Sequence, residues 1–127
     1  MNSIEIMPDL INDKDDQFNV AKAQDSNCEL INNHFVNMSI SASYDLHIEF
    51  LNSFLLLKEC FEFHFELEEI YYLNESNKIN FFHKLIHKIF LKSLCCIEKS
   101  IVESKEKRFL ILKNVRNWYF DHMNDFK

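Results

Sequence analysis

Glycine is absent from this chain and proline occurs once, at Pro8. Hairpin and barrel connections depend on residues that tolerate positive φ, glycine above all, so the usual turns of β architectures are missing while a helix interior meets no breaker. No apolar run reaches the roughly 18 to 20 residues that span a bilayer. The N-terminus has neither a basic flank nor the apolar core of a signal peptide. A soluble, cytoplasmic protein is the expectation. Basic residues are the minority, 14 Lys and Arg against 20 Asp and Glu, for a formal charge of -6. The single basic stretch, residues 105–108, is interrupted by Glu106. A phosphate backbone is bound by a clustered basic face, so a nucleic-acid partner is excluded. The four cysteines (Cys28, Cys60, Cys95, Cys96) form no C-x-x-C pattern, and the adjacent pair is poorly placed to bridge to itself. They read as reduced, mostly core thiols.

What is present is apolar bulk: 47% hydrophobic residues, 13 of them Phe, in 127 residues with no internal repeat. That length suits one domain with a single core. Residues 1–25, which include the run Asn12, Asp13, Lys14, Asp15 and Asp16, form a polar N-terminal arm expected to be partly disordered. Residues 26–127 carry apolar positions at helical spacing. One stripe holds Leu30, Phe35 and Met38; a second Phe50, Phe54, Leu57, Phe61, Phe65 and Leu67. A third runs from Ile79 and Phe82 through Leu85, Ile86, Ile89 and Phe90 to Leu94, and a fourth from Phe109 to Met123 through Leu110, Leu112, Val115, Trp118 and Tyr119. Polar breaks at residues 74–77 and 103–106 separate them, the second supplying charges suited to opening a helix. The expected fold is all-α, an antiparallel up-down four-helix bundle with an N-terminal polar extension.

Against this layout the histidines form a series. His64 and Glu68 are four apart, as are His83 and His87, so each helix presents a two-ligand clamp on one face. In an antiparallel hairpin, positions equidistant from the turn share one level. The clamps centre on 66 and 85, and their midpoint, 75.5, falls in the first polar break. Between 85 and His122 the midpoint is near 104, in the second break. For the first helix, His47 demands a turn inside the apolar run of residues 54–57, whereas His34 demands one near residue 50, where Leu51, Asn52 and Ser53 offer a polar interruption. His34 is preferred, although a competing turn at residues 41–45 would displace it by some turns. His47 and Asp45 read as helix-end polar residues. Either clamp alone arises often by chance; the turn-symmetric series points to a buried metal centre. Glu66 and Glu69 cannot share the face of Glu68 and are expected to face solvent or support the site from outside.

These residues resemble the hemerythrin family, four-helix proteins that bind dioxygen at a non-haem di-iron centre. His64-Phe65-Glu66-Leu67-Glu68-Glu69 is similar to that family's H-F-x-x-E-E signature and His83-Lys84-Leu85-Ile86-His87 to its H-x-x-x-H. The stretch from Trp118 to His122 resembles its W-x-x-x-H, and the stretch from Ser26 to His34 resembles the opening G-N-x-E-L-D-N-D-H of its bacterial members. The chain departs where Ser26 and Ile31 stand for Gly and Asp, and where Lys127 occupies the place of the terminal aspartate; Asp125 is the candidate substitute.

The donor set of His34, His64, Glu68, His83, His87, His122 and Asp125 is of borderline hardness and suits Fe, Mn, Zn or Cu, but its size exceeds one tetrahedral zinc and fits two bridged metals better. The resemblance implies two iron ions joined by an oxo or hydroxo bridge. His83, His87 and His122 would serve one and His34 and His64 the other, with Glu68 and the terminal acid bridging. Leu67, Phe61, Phe65, Phe82, Ile86 and Trp118 are expected to form the dry shell. The implied function is reversible dioxygen binding for storage, delivery or sensing. The alternatives are a di-iron oxidase or peroxide-consuming enzyme, and a divergent bundle acting as an interaction module.

Overall fold

The computed structural model describes residues 14–73 and 81–124. They form helices α1 (Lys14–Ser43), α2 (His47–Leu73), α3 (Phe81–Ile97) and α4 (Lys105–Asn124), with one 3₁₀ turn over Glu98–Ser100 between the last two. The protein is all-α, with no strand among the described residues. Residues 14–25, placed on the sequence in the polar arm, are helical and run without a break into the rest of α1. Polar residues of this kind continue a helix readily where neither glycine nor proline interrupts. Residues 1–13, the break at 74–77 and Asp125 lie outside the described residues.

The helices bury one face each. Ile31, Phe35, Met38 and Ala42 of α1 meet Phe50, Phe54, Leu57, Phe61 and Phe65 of α2, Phe90 and Leu94 of α3, and Ile111, Leu112, Val115 and Tyr119 of α4. The aromatic centre is Phe61, whose ring meets Phe90 edge-on at 5.2 Å and lies 5.5 Å from Tyr119 and 6.3 Å from Phe35. Each fully buried Phe or Leu contributes about 1.5–3 kcal/mol, which makes this cluster the main source of stability. Other members of the expected stripes face outward: Leu30, Leu85, Ile86, Ile89, Phe109 and Leu110 are exposed. Cys28 and Cys60 are half-buried and Cys95 and Cys96 exposed, so all four are free but only two are near the core.

The first connection departs from expectation. α1 ends at Ser43 and α2 begins at His47, so the turn occupies residues 44–46 and not the region of residue 50. Leu46 N–H donates to Ser41 C=O at 2.8 Å and Asp45 N–H to Ala42 C=O at 3.2 Å, the paired bonds of a Schellman helix end. The motif needs one left-handed residue, and Asp45, at φ 57°, supplies it in a chain without glycine. Arg108 holds it there: this buried guanidinium pairs with the Asp45 carboxylate through Nη2 and donates from Nη1 to Ile101 C=O at 2.8 Å. Leu51, Asn52 and Ser53 fall inside α2, where Asn52 is merely the exposed face of a helix that buries Phe50 and Phe54. His47 is an exposed helix-end residue, as expected.

The opening of α4 follows the sequence. Ser104 Oγ accepts from Lys107 N–H at 3.1 Å, an N-cap bond, and Glu106 sits in the first turn where the helix dipole favours an acid.

Candidate metal centre

Glu68 of the first clamp, both histidines of the second and His122 converge, and His64 is not one of this group. Glu68, His83, His87 and His122 each bring a ligand atom to within 4.8 Å of the others, three imidazole nitrogens and a carboxylate oxygen. The Nε2 atoms of His83 and His87 lie 2.9 Å from Glu68 Oε1, and that of His122 lies 3.1 Å from it. On the other side of the same carboxylate, His64 Nε2 is 3.3 Å from Oε2. His64, Glu68, His87 and His122 are buried and His83 is half-buried.

Four imidazoles around one buried carboxylate is an arrangement that protons serve badly. The His83 and His87 rings are 4.2 Å apart, and two like charges at about 4 Å repel by about 4 kcal/mol at an effective dielectric near 20. Neutral rings avoid that cost, and those of His83 and His122 can still donate from Nε2 to Glu68. Burial pushes His83 down from its ordinary value, and its bond to Glu68 only partly offsets this. Burial alone would raise Glu68, yet the surrounding His122, His64 and His87 hold it well below the usual carboxylate range. His64 goes the other way: burial opposes its charge, but Cys28 and Glu68 push it up to about 9. His87 Nε2 and both ring nitrogens of His64 are buried and in no hydrogen bond. A cation held with Glu68, His83 and His122 satisfies His87 Nε2, so these four residues fit a metal ion, and N₃O from imidazole and carboxylate is a common set for Zn or Fe.

The outer contacts favour ligation. His87 Nδ1 donates to Glu69 Oε2 at 2.8 Å, which fixes the tautomer and leaves the Nε2 lone pair aimed at the centre. Glu69 therefore supports the site from outside, as expected. Phe65 stacks on the His87 ring at 3.9 Å and 9°, and Trp118 on the His122 ring at 4.9 Å and 9°. Phe61, Phe65 and Leu67 are buried as the dry shell requires, but Ile86 is 49% exposed and faces away from it. The side chain of Phe82 lies outside the described residues. A groove of about 540 Å³ reaches His87 and Phe65 between α2 and α3, with Glu62, Glu66 and Glu69 on its walls.

The ends of the expected ligand series fare differently from its middle. His34 is half-buried with Nδ1 in no hydrogen bond, and is not one of the four converging residues. The turn at 44–46 explains this, because it sets Asn27, whose amide donates to Cys60 C=O at 2.9 Å, and Cys28 beside this stretch of α2. His34 lies six residues further along α1, about 9 Å of helix. Asp125 lies outside the described residues. What sequence reasoning missed is Cys28, which sits beside His64 and accepts a hydrogen bond from Tyr119 Oη at 3.2 Å. Counting from a turn at 45 would have paired it with residue 62, within one helical turn of His64.

The chain matches no protein-family model, no curated protein and no solved structure with which it was compared.

Proposed function

We propose that this chain is a hemerythrin-like non-haem iron protein, an antiparallel up-down four-helix bundle that binds dioxygen reversibly. The observation that carries the reading is the convergence of Glu68, His83, His87 and His122 within 4.8 Å. The bundle direction is supported by the pairs that cross it: Lys105 Nζ reaches Ser43 C=O near one end while Tyr119 reaches Cys28 farther along the same two helices. His87 and Glu69 join α3 to α2 at one level, and Lys58 joins α2 at another to Glu98 in the 3₁₀ turn that follows α3.

The first iron belongs with His83, His87, His122 and Glu68 Oε1. A second belongs on the other face of the carboxylate, with His64 and Glu68 Oε2. Bound iron supplies redox chemistry toward dioxygen that no side chain here has. The protein's own share is to bring three imidazoles to one carboxylate, to fix His87 through Glu69, and to keep water from the centre with Phe61, Phe65, Leu67 and Trp118. No described helix is long and apolar enough to cross a membrane.

The test is anaerobic loading of the purified chain with iron(II), followed by metal analysis and visible spectra on admitting and then removing oxygen. One or two irons per chain and a band that appears and reverses are expected. A folded chain that takes up no iron, or a His83→Ala, His87→Ala double variant that loads like the parent, would refute the reading. The groove at His87 gives a small reactant access, so oxygen or peroxide consumption is measured in the same samples. Steady turnover in place of reversible binding would make the protein a di-iron enzyme.

A further inference from the structure

Away from the histidines, α2 and α3 meet at a second group of reactive side chains. Lys58 Nζ on α2 donates to Glu98 Oε1 at 3.0 Å and to Cys95 Sγ on α3 at 3.8 Å. Glu98, in the 3₁₀ turn, thus holds the amine beside the sulfur. The Lys58 side chain is 21% exposed and Cys95 is exposed and free, so small oxidants in solvent reach both. Ten residues of α2 separate Lys58 from Glu68, and eight of α3 separate Cys95 from His87, about 15 and 12 Å of helix. The group is distinct from the metal centre and owes nothing to that reading.

An exposed thiol is oxidised first to a sulfenic acid, and a nucleophile held beside it captures that product before further oxidation makes the damage irreversible. Lys58 is such a nucleophile. We propose that Cys95 and Lys58 form a reversible N–O–S bridge, a covalent tie between α2 and α3 made by hydrogen peroxide. An interposed oxygen spans part of the 3.8 Å gap, which a direct N–S bond would have to close much further. Two equivalents of peroxide are consumed. The first replaces S–H by S–OH: sulfur loses two electrons, the O–O bond breaks and one water leaves. Lys58 gives its ammonium proton to solvent. The second peroxide takes two electrons from the pair; S–OH and one N–H lose their hydrogens, the O–N bond forms and two waters leave. Because Glu98 keeps the amine at the sulfur, this step is intramolecular and outruns oxidation to the sulfinic acid. Cys96 is also exposed but projects from a different side of α3, which makes it the internal comparison.

Intact mass of the reduced full chain after a few equivalents of hydrogen peroxide, with a chelator present to suppress adventitious metal, tests this. One oxygen in and two hydrogens out is a gain of about 14 Da, which excess dithiothreitol should reverse. Peptide mapping should place Lys58 and Cys95 in one linked pair. Cys95→Ser and Lys58→Arg should each abolish the 14 Da product, and Cys96→Ser should keep it. Arginine preserves the charge facing Glu98, so its loss of the product is not a loss of fold. The bridged wild type should melt at least about 5 °C above the Lys58→Arg chain treated alike, since a tie between two helices constrains the unfolded chain. Gains of about 16 or 32 Da on Cys95 with Lys58 unmodified overturn the inference, because the amine then fails to capture the oxidised sulfur. A loss of about 2 Da, the mark of a direct N–S bond, overturns the interposed oxygen. A Lys58→Arg chain that still gains the 14 Da product, or a wild type that peroxide leaves unchanged, also overturns it.

Discussion

Removing the Glu69 carboxylate should weaken the first metal without dismantling the bundle. Glu69 Oε2 accepts from His87 Nδ1 at 2.8 Å, with the imidazole side chain 2% exposed and the carboxylate 32%. A charge-assisted hydrogen bond of this kind contributes about 1.5–3 kcal/mol, and one-third exposure moves it to the lower end. The bond exists before metal arrives, so affinity changes only by what ligation adds. When Nε2 gives its lone pair to a dication, Nδ1–H becomes more acidic and the bond to Glu69 strengthens; without Glu69 the ring is also free to adopt the wrong tautomer. Together these amount to about 1–1.5 kcal/mol, or roughly five- to tenfold in Kd. Glu69→Gln keeps an acceptor but not the charge and should lose about half as much in free energy. Competition against a chromophoric chelator at neutral pH reads both variants. A Glu69→Ala protein with wild-type affinity would refute the argument that Glu69 prepares His87 for ligation.

The middle of the site was legible because each half of it lies on a single helix. Four-residue spacing alone puts His64 with Glu68 and His83 with His87, and no tertiary knowledge is needed. His122 was reachable because Ser104 and Glu106 mark a helix start by their chemistry, so the fold between α3 and α4 could be located to within a residue or two. α1 was different. Its end is written in Asp45, a residue whose left-handed conformation is held by Arg108, 63 positions away, and no local signal announces that pairing. The interruption at residues 51–53 looked like a turn because polar residues on the wet face of a helix and polar residues in a loop are the same letters. An error of five residues in a turn moves the partner of a fixed position by ten, enough to exchange a position near residue 24 for His34 and to hide Cys28. Burial was also over-read. With nearly half the chain apolar, a thin four-helix core cannot take every hydrophobic residue, and Leu85, Ile86 and Ile89 stay outside because the inner face of α3 is already filled by His87, Phe90 and Leu94.

His34→Ala should leave the first metal's affinity and spectrum unchanged in the same chelator assay, because His34 is not among the converging donors; a tenfold loss would show that α1 sits differently in the loaded protein. Asp45→Ala should cost about 2 kcal/mol in urea unfolding, combining an alanine at φ 57° with a buried Arg108 left without its carboxylate, whereas Asp45→Gly should recover about 1 kcal/mol by relieving the backbone. An unshifted midpoint in Asp45→Ala would refute the pairing as a stabilising contact. Acid and alkali should act oppositely on the loaded and metal-free chains. In the metal-free protein His64 is raised to about 9, above its unfolded value, so its stabilising contribution is complete below pH about 6.5 and is lost as pH rises through about 9. Glu68 is depressed, so its contribution is present above the ordinary carboxylate range and is lost only as pH falls well below it. The metal-free chain is therefore favoured on the acid side of neutrality. The loaded chain is not, because a ligating imidazole must be without its proton, and falling pH sets protons in competition with the metal. Glu68 remains ionised throughout this range, so metal loss should follow histidine protonation steeply, with no separate carboxylate step. Thermal melts with and without metal between pH 5 and 9 should show a gap in Tm that widens with pH. Parallel curves would mean that protons and metal do not compete for these imidazoles, and the donor set would lose its chemical basis.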